Sequence, residues 1–292
     1  MDAEQVTERI AEHGEGPIWD SDRGRLLIVD IMRGEVLDLR DPTTGRVESD
    51  GIARYHVGKV AAALRPRSAG GFVVATEHGF SLFDRDFVAE RAVPDVVTDA
   101  GIRMNDGGCD PHGRFYCGTM AYDEQPGVAS LYRLEPDGST SVAFDGVTIS
   151  NGLQWSADGG TAYYIDTPTQ CVDVFDYDGE SGQFTNRRRF AEIDKSQGSP
   201  DGMTIDEEGG LWVALWSGGK VHHYDPDGYL TDVITVPGVS NTSAVAFGGP
   251  DLDVLYITTS RQGIADGEEP AAGSVFAARP GARGRVLPTF AG

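Results

Sequence analysis

Four oxygen-bearing side chains, Glu15, Asn105, Asn151 and Asp201, stand at one position of an internal repeat, each followed within two residues by glycine. The segments that begin at them are EGPIWDSDRGRLLIVD, NDGGCDPHGRFYCGTM, NGLQWSADGGTAYYID and DGMTIDEEGGLWVALW. A polar residue (Asp20, Asp110, Ser156 or Asp206) falls five places on, then a glycine turn and an apolar strand. Glu15 and Asp201 would supply two negative charges, and Asn105 and Asn151 neutral carbonyl oxygens. An all-oxygen set of this kind suits one divalent metal cation, whose charge two carboxylates balance. It admits Ca²⁺, Zn²⁺, Mn²⁺, Mg²⁺ or Fe²⁺ without choosing among them. Asx-Gly pairs also form turns for backbone reasons alone. That accounts for DPHG, SADG, DEEG and DPDG, but not for acceptors that share a register ahead of an apolar strand and include a glutamate.

Residues so far apart in sequence share a site only if the repeat closes on itself. Two weaker copies, AAALRPRSAGGFVVATEHGF from Ala61 and SAVAFGGPDLDVLYITTS from Ser243, carry small or apolar groups at the equivalent point, around Ala62 and Ser243. Six units spaced by roughly 40–50 residues match the four-stranded blades of a β-propeller. The expected fold is therefore all-β, a six-bladed β-propeller with a metal site in the central channel, filling 1–292 as a single domain. The 39 glycines and 15 prolines among 292 residues suit short strands and tight turns rather than long helices. The innermost strand of each blade lines the channel, so acceptors at its start look inward. The N-terminal strand around Val6 to Ala11 is expected to pair with the last blade, whose strands would include SVFAAR and RVLPTF, removing free edges. The segment GIADGEEPAAG, 263–273, reads as a surface loop near the channel mouth.

The formal charge of −22, from 46 acidic and 24 basic residues, excludes a nucleic-acid backbone or an anionic membrane as a natural partner. Cys109, Cys117 and Cys171 form no CxxC pair, and three cysteines do not complete a disulfide framework. The opening MDAEQVTERI has no apolar signal core, and no apolar run spans a bilayer. A cytoplasmic protein, monomeric or a weak homo-oligomer, is expected. There is no GxSxG elbow, P-loop or dinucleotide fingerprint. His222 and His223 are adjacent on a strand and point to opposite faces. His13 lies closest to Glu15, but no histidine shows ligand spacing. Trp19, Trp155, Trp212 and Trp216 read as packing residues.

The chain resembles the SMP-30/gluconolactonase family of six-bladed propellers, which includes regucalcin and bacterial sugar lactonases. The resemblance spans nearly the whole chain and is carried by GEGPIWD, RMNDGGCDPHGRFYCGTM, ISNGLQWSADGGTAYYIDT, FDYDGESGQFTNRRRF and SPDGMTIDEEGGLWVALWSGGKV. It implies that Glu15, Asn151 and Asp201 bind the metal and that Arg103 and Asn105 contact the substrate. It also implies a substrate-facing acidic position two residues beyond Ala121, which is Asp123 here, where some relatives carry a glutamate. The reaction these parts suit is hydrolysis of a sugar lactone. A channel cation would polarise the carbonyl, Asp201 would accept or relay the proton as the catalytic residue, and Arg103 would donate hydrogen bonds to the lactone. A propeller phosphotriesterase or esterase, and a cation-binding propeller without turnover, are the competing readings.

So many carboxylates repel one another, and salt screens that repulsion. Melting temperature is expected to rise between low and molar KCl; no rise would show that self-repulsion does not limit stability.

Overall fold

The computed structural model describes residues 1–292 except Asp41 and Thr44. It contains six four-stranded antiparallel sheets. Their first strands are Gly14–Asp20, Ala63–Pro66, Ile102–Cys109, Ser150–Trp155, Ser199–Ile205 and Thr242–Gly248. Each of these touches the first strand of the next sheet, and the last touches Gly14–Asp20, so the ring is closed. This is the six-bladed propeller expected from the repeat. No helix among the described residues is long and apolar enough to cross a membrane.

Burial follows strand position within a blade. Second strands lie between neighbouring blades and are covered on both faces, so they read as unbroken apolar runs instead of alternating ones. Leu26, Leu27, Ile28 and Val29 are fully buried, as are Leu211, Val213, Ala214 and Leu215. Outer strands face water: Ala89–Ala92 is exposed throughout, and Gln183–Glu192 carries three consecutive arginines outward.

In five sheets the strand order follows the chain. The sixth is completed by the N-terminus, where Glu4 and Gln5 pair antiparallel with Ala277 and Phe276. The closing strand thus precedes the segment expected from sequence. Val6 and Ala11 still donate backbone hydrogen bonds to Val275 and Gly273, at 2.9 and 3.0 Å, outside the regular ladder. SVFAAR contains a blade strand, Phe276–Ala278. RVLPTF does not form one, because the N-terminal strand already takes the outer place. This C-terminal stretch instead ties blades together at the far end of the inner strands, where Phe290 is buried and exchanges backbone bonds with Pro66 and Ser68.

The pairing of first and second strands slips at the same place in five blades, between Glu15 and Ile18, Met104 and Gly107, Asn151 and Leu153, Pro200 and Met203, and Thr242 and Ala244. These are β-bulges, which re-aim side chains. The Asx-Gly pairs at Asn151 and Asp201 therefore lie inside strands and form no turns. Their glycines allow adjacent inner strands to close up. A Cβ on Gly202 would stand 2.5 Å from Ala244 Cβ and 2.9 Å from Ser243 O, and one on Gly152 would stand 2.7 Å from Met203 Cγ. Gly202→Ala is expected to lower unfolding free energy by about 1–3 kcal/mol through overpacking. Denaturant unfolding without that loss would show that the inner ring has slack.

Candidate active site

The start of the inner strands opens on a cavity of about 650 Å³, lined by Glu15, Arg103, Asn105, Asn151 and Asp201. That volume lies within the range of small-molecule sites, roughly 300–1,000 Å³. The four repeat acceptors therefore reach one space from blades one, three, four and five. At the equivalent point of the last blade, Ser243 turns away and donates to Gly14 O at 2.6 Å.

A polar chain runs across the site. Arg103 Nη1 donates to Asn105 Oδ1 at 2.7 Å, and Asn105 Nδ2 donates to Asn151 Oδ1 at 3.1 Å and to Ser150 O at 2.8 Å. Asn151 Nδ2 donates to Thr167 Oγ1 at 2.8 Å, and Thr167 Oγ1 donates to Pro200 O at 2.8 Å, beside Asp201. The chain orients both amides and leaves Asn151 Oδ1 a second lone pair. Asn105 Oδ1 also keeps a second lone pair, but it accepts from a guanidinium whose positive charge would oppose a cation there, so it serves the site differently from the other acceptors. Two further carboxylates pin the approach to the inner strands. Asp30 accepts from His13 N at 3.1 Å and from Glu12 N at 2.8 Å, and Asp166 accepts from Ile149 N at 2.9 Å and from Thr148 N.

The electrostatics are unbalanced. Burial, followed by the charge of Asp106, raises the Glu15 carboxyl, against the Gly16 N–H and Arg103. Burial, followed by the charges of Glu15 and Asp106, pushes Asp201 well above the usual carboxylate range. Asp106 is itself raised by burial, and Arg65 offsets part of this. The nearby guanidinium of Arg103 is lowered by burial, lies within 4 Å of no carboxylate among the described residues, and its Nε is sealed without a partner. A buried, unpaired cation beside carboxylates that resist ionisation is costly in a folded protein unless something else binds there. Glu15, Asn151 and Asp201 are the side chains that could hold a hard cation. No group of three His, Cys, Asp or Glu residues among the described ones is arranged to hold a metal, so such an ion would need an amide oxygen.

The SMP-30/gluconolactonase/LRE-like family model matches residues 13–261, a stretch that includes Glu15, Arg103, Asn105, Asn151 and Asp201. The chain belongs to this family. It is 40% identical to a regucalcin of Danio rerio over 271 residues, covering 91% of this chain and 90% of the relative. It is 38% identical to a Bacillus subtilis protein named for sugar lactone lactonase activity, over 100% of this chain and 99% of that one. A solved regucalcin of Agrobacterium tumefaciens, described as a calcium-binding protein, superposes with a TM-score of 0.90 at 28% identity, over 99% of this chain and 97% of that one.

One position carried over from the family resemblance falls elsewhere. Asp123 is exposed, accepts from the Gln125 N–H at 3.3 Å within its own turn, and is not part of the cavity lining. Its neighbour Glu124, in a left-handed conformation at φ 59°, lines the cavity in its place. Tyr122, the residue between Ala121 and this turn, donates to Glu77 at 2.7 Å and sets its ring beneath Arg103. Asp106 lies one residue past the repeat position that the register singles out, and the bulge brings its buried carboxyl within electrostatic reach of Glu15 and Asp201. Gln262 and Gly263 bring the start of the expected surface loop to the cavity wall. Trp19, Trp155 and Trp212 pack against Tyr256, Tyr116 and His223, while Trp216 lines the cavity. His222 and His223 bond to Tyr224 and Asp206, away from it. All three cysteines are free and buried.

In chelator-treated protein the folded state holds protons on Glu15 and Asp201 that the unfolded chain has released, from the ordinary carboxylate range upward. Stability then falls as pH rises above about 4.3, where an unperturbed glutamate ionises. His13, pushed down to about 3 by burial and by Arg103, acts oppositely, removing stability as pH drops below 6.5. Thermal melts of chelated Glu15→Gln should show a shallower decline than the parent between the ordinary carboxylate range and about pH 8. An unchanged decline would remove Glu15 as its source.

Proposed function

We propose that this protein is a metal-dependent lactonase that hydrolyses aldonolactones of the glucono-, xylono- or arabinono-type to the open-chain aldonic acids. The observation that carries the reading is the meeting of Glu15, Asn151 and Asp201, from three different blades, in a cavity that also holds Arg103 and Asn105. Family membership and the name of the Bacillus subtilis relative support the same reaction class.

The donor set fits a divalent cation, since a double positive charge would relieve the repulsion that raises Glu15 and Asp201. Glu15, Asn151 and Asp201 would hold it. Once bound, such an ion supplies carbonyl polarisation and a more acidic water. The remaining work belongs to the chain. Asn105 holds Asn151 in the orientation that offers its oxygen. Arg103 lines the cavity, and its Nη2, which is neither sealed nor bonded among the described residues, donates to an oxygen of the lactone and steadies the negative charge that develops there. Asp201 accepts the proton of the attacking water, and Glu124 faces the substrate at the cavity wall.

A second reading follows from the calcium-binding description of the Agrobacterium regucalcin: an ion held without turnover. The cavity volume and the unsatisfied guanidinium favour an organic substrate over an ion alone. The protein is read as cytoplasmic and as a monomer or weak homo-oligomer. Acid release should be followed at constant pH over a panel of lactones, with and without chelator. Turnover should vanish on chelation and return with added divalent ion. Asp201→Asn should lower kcat by roughly 10²–10⁴-fold if the carboxylate carries the proton. Turnover that survives chelation, or cleavage of phosphotriesters with none of lactones, would sink the proposal.

A further inference from the structure

His13 lines the cavity beside Glu15, yet the chemistry above makes no use of it. The residue is 6% exposed, and its imidazole meets the cavity-lining Trp216 edge-on, with ring centroids 5.6 Å apart. Nδ1 lies 2.6 Å from Ser260 Oγ. Ser260 is fully buried, and its Oγ already accepts the Gln262 N–H at 3.0 Å.

Counting hydrogens decides the tautomer. A hydroxyl has one hydrogen and two lone pairs. Were Nδ1 protonated, Ser260 Oγ would accept twice, and its own hydrogen would find no acceptor among the described residues. Buried donors left in that state are rare because they are costly. With Ser260 donating to Nδ1, both groups are satisfied and the ring hydrogen sits on Nε2. A doubly protonated ring would also carry a hydrogen there. Nε2 has no protein partner among the described residues and is not one of the sealed, unpaired nitrogens, so it opens on the cavity.

We propose that His13 is a specificity-determining residue whose Nε2–H donates to a ring hydroxyl of a polyhydroxylated lactone, with the edge of Trp216 forming the adjoining wall. This rests on the lactonase reading and extends it to the substituents of the ring. The ester end is taken by Arg103 and the Glu15, Asn151 and Asp201 trio, which leaves the hydroxyl-bearing carbons to the His13 wall. A donor fixed by Ser260 cannot turn into an acceptor, so a lactone without that hydroxyl leaves Nε2–H unpaired.

Two measurements test this. Nitrogen-15 spectra of histidine-labelled protein at neutral pH, with the signal assigned through a His13 variant, should show the Nε2-protonated ring; an Nδ1-protonated ring would overturn the proposal whatever the activity. His13→Phe should lower kcat/KM on a polyhydroxylated δ-lactone by roughly 10-fold or more while leaving unsubstituted δ-valerolactone within about 3-fold. His13→Gln, which keeps an N–H near the same place, should recover part of the loss. Equal loss on both lactones, or none, would overturn the proposal. Absence of turnover on every lactone would overturn the lactonase reading, and the substrate assigned here with it, while the spectrum would still decide the donor.

Discussion

Inner strands of neighbouring blades approach more closely in places than a side chain permits. Gly152 and Gly202 mark those approaches, since a Cβ at either would stand under 3 Å from the adjoining strand. Each glycine directly follows an acceptor, and the bulge that accommodates it turns that acceptor inward. Packing and chemistry therefore share one local device. The backbone contact that seals the ring is also what delivers Asn151 and Asp201 to its centre, so the site cannot loosen without the ring loosening too.

This delivery gathers groups that water would keep apart. Burial raises Glu15, Asp106 and Asp201, the charge of Asp106 adds to the shift of Glu15, and both add to that of Asp201, while the Arg103 guanidinium among them is bonded to the Met104 carbonyl and an amide instead of to a carboxylate. If stability alone shaped the interior, pairing Arg103 with a carboxylate or replacing the set by apolar residues would serve better, because a broken or incomplete buried ion pair is destabilising. The imbalance persists because sheet hydrogen bonds, Asp30 and Asp166 hold the strand entrances in place independently of the charges. A rigid ring can carry an electrostatic deficit that an external ligand relieves.

The architecture was legible because it repeats. Six copies of an apolar strand, a turn and a second strand specify blades, and acceptors held in register specify a common axis. What the sequence hid is whatever depends on a single local event. The bulge at Asn105 puts Asp106 within electrostatic reach of the site, although the repeat register singles out only its neighbour. Past Ala121 the chain turns, and Glu124, in a left-handed conformation, lines the cavity, whereas counting from GTMA arrives at Asp123. The closing strand is only Glu4–Gln5, too short for periodicity to reveal, and RVLPTF has the look of a strand without a free sheet edge to join. Each miss has one cause: pattern reports periodic structure, whereas departures from periodicity decide where individual side chains point.

The cavity walls divide along the same line. Glu15, Asn105, Asn151 and Asp201 stand in strands, are at least nine-tenths buried and are tied into the inner ring, where substitution disturbs the neighbouring blade. Glu124, Lys195 and Gln262 reach the same space from turns and loops outside the ladder, with more exposed side chains. Loops accept changes of sequence that a close-packed ring does not. Chemistry that depends on the strand residues is thus constrained by the fold, while recognition of what surrounds the reacting bond can vary at small structural cost. His13 belongs with the strand residues by burial and with the loop residues by what it recognises. Its backbone is pinned by Asp30 and its ring by Ser260, so this one contact with the substrate's periphery is as fixed as the chemistry itself.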